Sequence, residues 1–176
     1  SDKLINLAQS QNKPQQIGRA LAYQSKILTK MKLYDLSSLK LKLAMEQFEK
    51  INDLKYQARA WYYQSWLDDQ NNDYLAVKSS LLKSAQLANE AKNNLGEIDT
   101  LIHLAGKAHH YQNEDDKYHF LKQAEHKMDA YQLPGYHFAK ISYRYATFAK
   151  TLSQKEPHLK QALKLTALTP EHWVAQ

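Results

Sequence analysis

Residues 120–128 read FLKQAEHKM, and the tetrapeptide inside them, LKQA at 121–124, returns unchanged at 159–162. Near-copies stand at 82–85 (LKSA) and 41–44 (LKLA), so the alanines Ala44, Ala85, Ala124 and Ala162 are spaced 41, 39 and 38 apart. Upstream of each copy lies a second marker ending in a small residue: Ser25, Ser65, Gly106 and Thr147, spaced 40, 41 and 41. Two markers with one period near 40 define an internal repeat, and periods of about 20–50 residues belong to solenoids and arrays.

Each period holds two helical patterns. In 54–69, LKYQARAWYYQSWLDD, good helix formers carry a stripe through Ala58, Trp61 and Ser65. After polar QNND (70–73), a second stripe runs from Tyr74 to Lys92 through Val77, Leu81, Leu82, Ala85 and Ala88. Further breaks are expected near 34–37, 93–95, 112–116, 133–135 and 153–157. Asp, Asn and Ser there suit N-caps, and Pro14, Pro134, Pro157 and Pro170 sit where helices should begin. Small residues at the repeated sites let antiparallel helices approach to about 8–10 Å. The leucine before each alanine (Leu41, Leu82, Leu121, Leu159) is predicted to fill the seam, with the neighbouring lysine in water.

Composition bounds the rest. The chain has 176 residues with only four Gly and four Pro, too few turn residues for an all-β fold. Its mean hydropathy is −0.70 and no stretch reaches the roughly 18 apolar residues of a membrane span. The absence of cysteine excludes disulfides, thiol nucleophiles and thiolate metal sites while leaving the compartment open, and the cytoplasm is the default expectation. A net charge of +6 is spread along the chain. That is thin for tracking phosphates, so nucleic acid is disfavoured and anionic proteins or peptides are favoured.

The pairs Leu21/Ser25, Trp61/Ser65, Ile102/Gly106 and Tyr143/Thr147, followed by Ala44, Ala85, Ala124 and Ala162, resemble the tetratricopeptide repeat family. There a bulky–small pair on a first helix precedes an alanine-bearing second helix. The resemblance spans residues 13–168. Its period exceeds the family's usual length of about 34 and is similar to the longer repeats of bacterial regulatory proteins. The fold it implies is all-α, antiparallel helix hairpins stacked into a right-handed α-solenoid. Its expected divisions are 1–12 (the end of a preceding second helix), repeats at 13–53, 54–94, 95–132 and 133–168, and the start of a further helix at 169–176.

The resemblance implies a protein- or peptide-binding scaffold whose first helices line a concave groove. Stepping three, four and seven residues from the packing sites places Arg19, Ala22 and Lys26 on that face in the first unit. Arg59, Tyr62 and Trp66 follow in the second, His103, Lys107 and His110 in the third, and Ile141, Arg144 and Phe148 in the fourth. This set is basic and aromatic without a carboxylate, which suits an acidic or aromatic-containing segment. Two other readings share the fold: a sensory segment of a bacterial transcriptional regulator or signalling protein, and self-assembly through end helices. No HExxH, phosphate loop or nucleophile elbow occurs, so no metal, cofactor or enzymatic activity is expected.

Overall fold

A computed structural model describes residues 13–133 and 138–167, and these residues are helical with no strand among them. Helices α1 (Pro14–Lys30) and α2 (Tyr34–Lys50) pair, as do α3 (Leu54–Asp68) and α4 (Tyr74–Glu90). A short 3-10 turn, Asp69–Asn71, follows α3. Then come α5 (Asn94–His110), α6 (Glu114–Ala130), α7 (Phe138–Phe148) and α8 (Leu152–Ala167), of which α7 and α8 pair. The chain divides into two compact units, Ser1–Thr100 and Leu101–Gln176, the division falling within α5. In the first unit α3 packs on both α2 and α1, so one helix pair stacks on the next.

The underlying module is half of the hairpin period. Lys32, Asn52, Asn72, Lys92, Gln112 and Gln132 all take positive φ, between 50° and 61°, and their numbers advance in equal steps of twenty. Around five of them both bonds of a Schellman turn form; at the first, Lys32 N–H donates to Thr29 O (3.0 Å) and Leu33 N–H to Leu28 O (2.9 Å). The residue after each of the first five turns opens the next helix, and four of these are side-chain caps: Asp53 on Tyr56 N–H, Asp73 on Ala76 N–H, Asn93 on Gly96 N–H and Asn113 on Asp116 N–H. Leu33 offers no side-chain cap, and Pro14 opens α1 at a position where its missing N–H costs nothing.

Two such modules make one hairpin, and burial follows that count. Leu41, Leu81 and Leu121 are fully buried, as are Ala44, Ser84 and Ala124, and Ser25, Ser65 and Ala105. The tetrapeptide match at 82–85 is therefore one residue out of register. Leu82 is 40% exposed and Leu81 fills the seam; Ala85 is buried as well. Likewise Ala105, not Gly106, is the small site of α5. Leu159 (38% exposed) and Tyr143 (54% exposed) do not fill seams either.

Two expected helix starts are also corrected. Residues 34–37 lie inside α2, the break being 31–33. Pro157 lies inside α8, whose start is set by a reciprocal box: Thr151 Oγ1 accepts from Gln154 N–H, while Gln154 Oε1 accepts from the N–H groups of Lys150 and Thr151. Pro134, Pro170 and the segments 1–12 and 169–176 lie outside the described residues.

Small residues at the joint admit both close approach and hydrogen bonding. Ser25 and Ser37 hydroxyls lie 2.9 Å apart, and Ser37 Oγ also donates to Ser25 O (2.8 Å), joining α1 to α2 without an unpaired hydroxyl. Gly18 carries the same logic further. A Cβ there would stand 2.5 Å from Phe48 Cε1, so the ring occupies the space a methyl would need.

Candidate functional site

In the first unit the faces of α1, α3 and the start of α5 enclose a cleft of about 500 Å3, lined among others by Lys26, Lys55, Arg59, Tyr62, Trp66 and Asp99. Four of the residues predicted for the groove thus meet in one place. Tyr62 and Trp66, one helical turn apart on α3, meet edge to face (5.9 Å, 61°), and Tyr63 lies against both. All three rings pack on the core of Ile17, Leu21, Leu41 and Phe48, which holds the aromatic wall rigid. The Arg59 guanidinium sits 5.8 Å from the Tyr63 ring centroid, and its Nε donates to Tyr63 Oη (3.0 Å). Arg19 lies over Tyr56 (5.3 Å). The cations are therefore held by aromatic faces and hydroxyls, which leaves their charge uncompensated by those contacts.

Asp99 corrects the expectation of a wall without carboxylate. It holds the place in α5 that Arg59 holds in α3 and Arg19 in α1, a position the regular module identifies and the slipped marker at Gly106 passes over. Lys55 and Asn93 also line the cleft and are absent from the set read off the sequence. Both lie beside the interhelical turns, where stepping from mid-helix packing sites does not reach. A second hollow of about 790 Å3 opens where the first turns of α1 and α3 adjoin; Pro14, Ile51 and Leu54 line it beside polar side chains, with Gln15 Nε2 donating to Asp53 (2.8 Å).

In the second unit, His103 and Lys107 are half-buried on α5, and His110 is exposed, edge-on to Tyr111. Arg144 lays its guanidinium against Gly106, where a Cβ would come within 3.0 Å of it. Phe148 is the clear correction. It is 2% exposed, packed between His109 (4.8 Å) and Tyr118 (6.0 Å), and so cannot serve as an open anchor. Ile141 is buried too. Ile141 stands forty positions after the buried Leu101 and Phe148 forty after the buried Ala108, so both fall on packing positions.

A buried lysine of α6 forms part of the enclosure of Phe148. Lys117 occupies the position held by Ser37 and Val77 in the earlier repeats. Its ammonium pairs with Glu114 (2.6 Å) and lies over the rings of Tyr118 (4.8 Å) and Phe148 (5.5 Å). That hydrogen bond holds the Glu114 carboxyl below its ordinary pKa. Burial, then the nearby Lys117 charge, lowers His109 below the usual imidazole value. Beside them a hollow of about 370 Å3 is lined by Tyr118, Tyr145, Lys150 and His158, among others. Burial and Glu125 push the Tyr145 phenol up to about 12. Among the described residues no group of three His, Asp or Glu side chains could hold a metal ion, and no helix is long and apolar enough to cross a membrane.

Compared with known proteins, the chain matches no family model, no curated protein sequence and no solved structure.

Proposed function

We propose that the chain is a protein- or peptide-binding module, its helix pairs being units of a right-handed α-solenoid of the long-period tetratricopeptide kind. The cleft of the first unit takes an extended segment of a partner. The observation that carries this reading is the convergence of Lys26, Lys55 and Arg59 with Tyr62 and Trp66 around one cleft of about 500 Å3. Rigid aromatic walls beside cations suit a segment that alternates acidic and aromatic side chains, its carboxylates held by the cations and its rings set against Trp66. Binding rather than catalysis is the proposed activity, and a cytoplasmic setting is compatible with a chain that lacks cysteine.

The test uses fluorescently labelled short synthetic peptides, one set rich in Asp, Glu and aromatic residues, one set with Lys replacing the acids. The acidic set is expected to bind, more weakly as salt rises. Lys26→Glu with Arg59→Glu should cost at least about tenfold in affinity, and Trp66→Ala a similar factor, with helicity unchanged by circular dichroism. Equal binding of both peptide sets, or full affinity in the charge-reversed variant, would remove the cleft as the site.

A further inference from the structure

Positive charge gathers on the first two turns of α3. Lys55 and Arg59 stand one helical turn apart on the stripe that lines the cleft, a spacing at which like charges repel. Arg19 joins them from α1. It holds the place that Arg59 takes one period later, and its guanidinium reaches across to α3, where it lies over the ring of Tyr56 (5.3 Å). Tyr56 itself lines the cleft and stacks on the buried Phe48 (5.4 Å), so the ring under Arg19 is fixed. Arg59 is aimed in the same way, by the ring and hydroxyl of Tyr63. Among the described residues no carboxylate forms an ion pair with Arg19, Lys55 or Arg59.

Two guanidinium groups seated on tyrosine rings beside a lysine match a phosphate better than a carboxylate. A stacked guanidinium keeps its outward N–H groups for a bidentate contact. A phosphate monoester brings about −1.5 to −2 of charge and three acceptor oxygens, against the single charge of Asp or Glu. Asp99 lines the α5 side of the cleft, so an anion is held on the α1 side, towards Arg19. Trp66 stands seven residues beyond Arg59 on α3. That is about 10 Å along the helix, the span of about three extended residues.

We propose that the segment taken by the cleft is phosphorylated. Its phosphate is held by Arg19, Lys55 and Arg59, and an aromatic side chain three residues away is set against Trp66. The inference rests on the cleft being the peptide site, and it makes phosphorylation of the partner the event that strengthens binding there.

Fluorescence anisotropy of short labelled peptides tests this. Acidic peptides carrying phosphoserine, with tryptophan three residues before or after it, are compared with the same peptides carrying serine or glutamate. The better phosphopeptide should bind at least about tenfold tighter than its serine form, and tighter than its glutamate form. The gain should shrink as pH falls below about 6, where the phosphate loses its second charge. Arg19→Gln should abolish the gain while costing the serine peptide less than about twofold. Arg19 is exposed, so the variant should keep the helicity of the wild type by circular dichroism. Phosphoserine no better than glutamate overturns the proposal while leaving the acidic-peptide reading intact, and no binding of any peptide overturns both. A full gain in Arg19→Gln would put the phosphate elsewhere and also overturns it. So does displacement of the phosphopeptide by an equal concentration of inorganic phosphate, which would mean a free-anion site in which the segment has no part.

Discussion

Phe48→Ala is expected to destabilise the first unit by about 3–5 kcal/mol, the range for emptying a large buried aromatic site. The ring is fully buried, stacks on Tyr56 at 5.4 Å and 20°, and lies where Gly18 leaves room for it. It therefore touches α1, its own helix and α3 together. No neighbour can collapse into the space without breaking the seat of the Tyr62 and Trp66 wall, so peptide affinity in the cleft should fall as well. The module count makes a sharper comparison in the second pair. Leu81→Ala should cost about 2–5 kcal/mol, and Leu82→Ala, at a site 40% exposed, under about 1 kcal/mol. Chemical denaturation followed by tryptophan fluorescence reads all three, and equal losses at Leu81 and Leu82 would contradict the register that the regular turns impose.

Replacing Lys32, Lys92, Gln112 and Gln132 together by glycine should stabilise the protein by about 2–4 kcal/mol in total. All four hold φ between 51° and 61°, where an ordinary L-residue pays about 1–2 kcal/mol for contact between Cβ and the carbonyl. Glycine removes that strain and returns about 0.5–1 kcal/mol of it as chain entropy in the unfolded state. The net gain is therefore about 0.5–1 kcal/mol per site. Asn52 and Asn72 occupy the same position and already tolerate it, so Asn→Gly there should change little. Thermal and urea unfolding would check this. Destabilisation by the glycines would mean that these residues lie in continuous helix, where glycine is a cost.

The period was legible in the sequence because leucine, alanine and helix-cap residues are chemically narrow choices. Asp53, Asp73, Asn93 and Asn113 stand at even intervals in plain view. The register within the period was less legible. At the joint of α4 the small residue is Ser84, and the eye prefers Ala85, although both are small enough to admit a neighbouring helix. At α5 the same happens with Ala105 and Gly106. One residue of slip rotates a helix face by about 100°: forty positions after Tyr62 and Trp66 stand Ile102 and Gly106, one residue before His103 and Lys107, and forty after Arg59 stands Asp99.

The turns were hidden for a different reason. None of the glycines among the described residues has positive φ; Gly18 and Gly106 sit inside helices, where a side chain or guanidinium needs their bare backbone. Lysine and glutamine hold the left-handed positions instead, and their letters carry no turn signal. Lys26, Arg59, Tyr62 and Trp66 come to one cleft because they step evenly from the fully buried Ser25 and Ser65, whereas Lys55 lies near a turn that such stepping does not reach.

The most direct test of the central claim, helices closed at one constant interval by a left-handed turn, is backbone chemical shifts and HN–Hα couplings in solution. Lys32, Asn52, Asn72, Lys92, Gln112 and Gln132 should each report positive φ between helical runs. Helical φ at two or more of these positions, or turns at uneven spacing, would contradict the account.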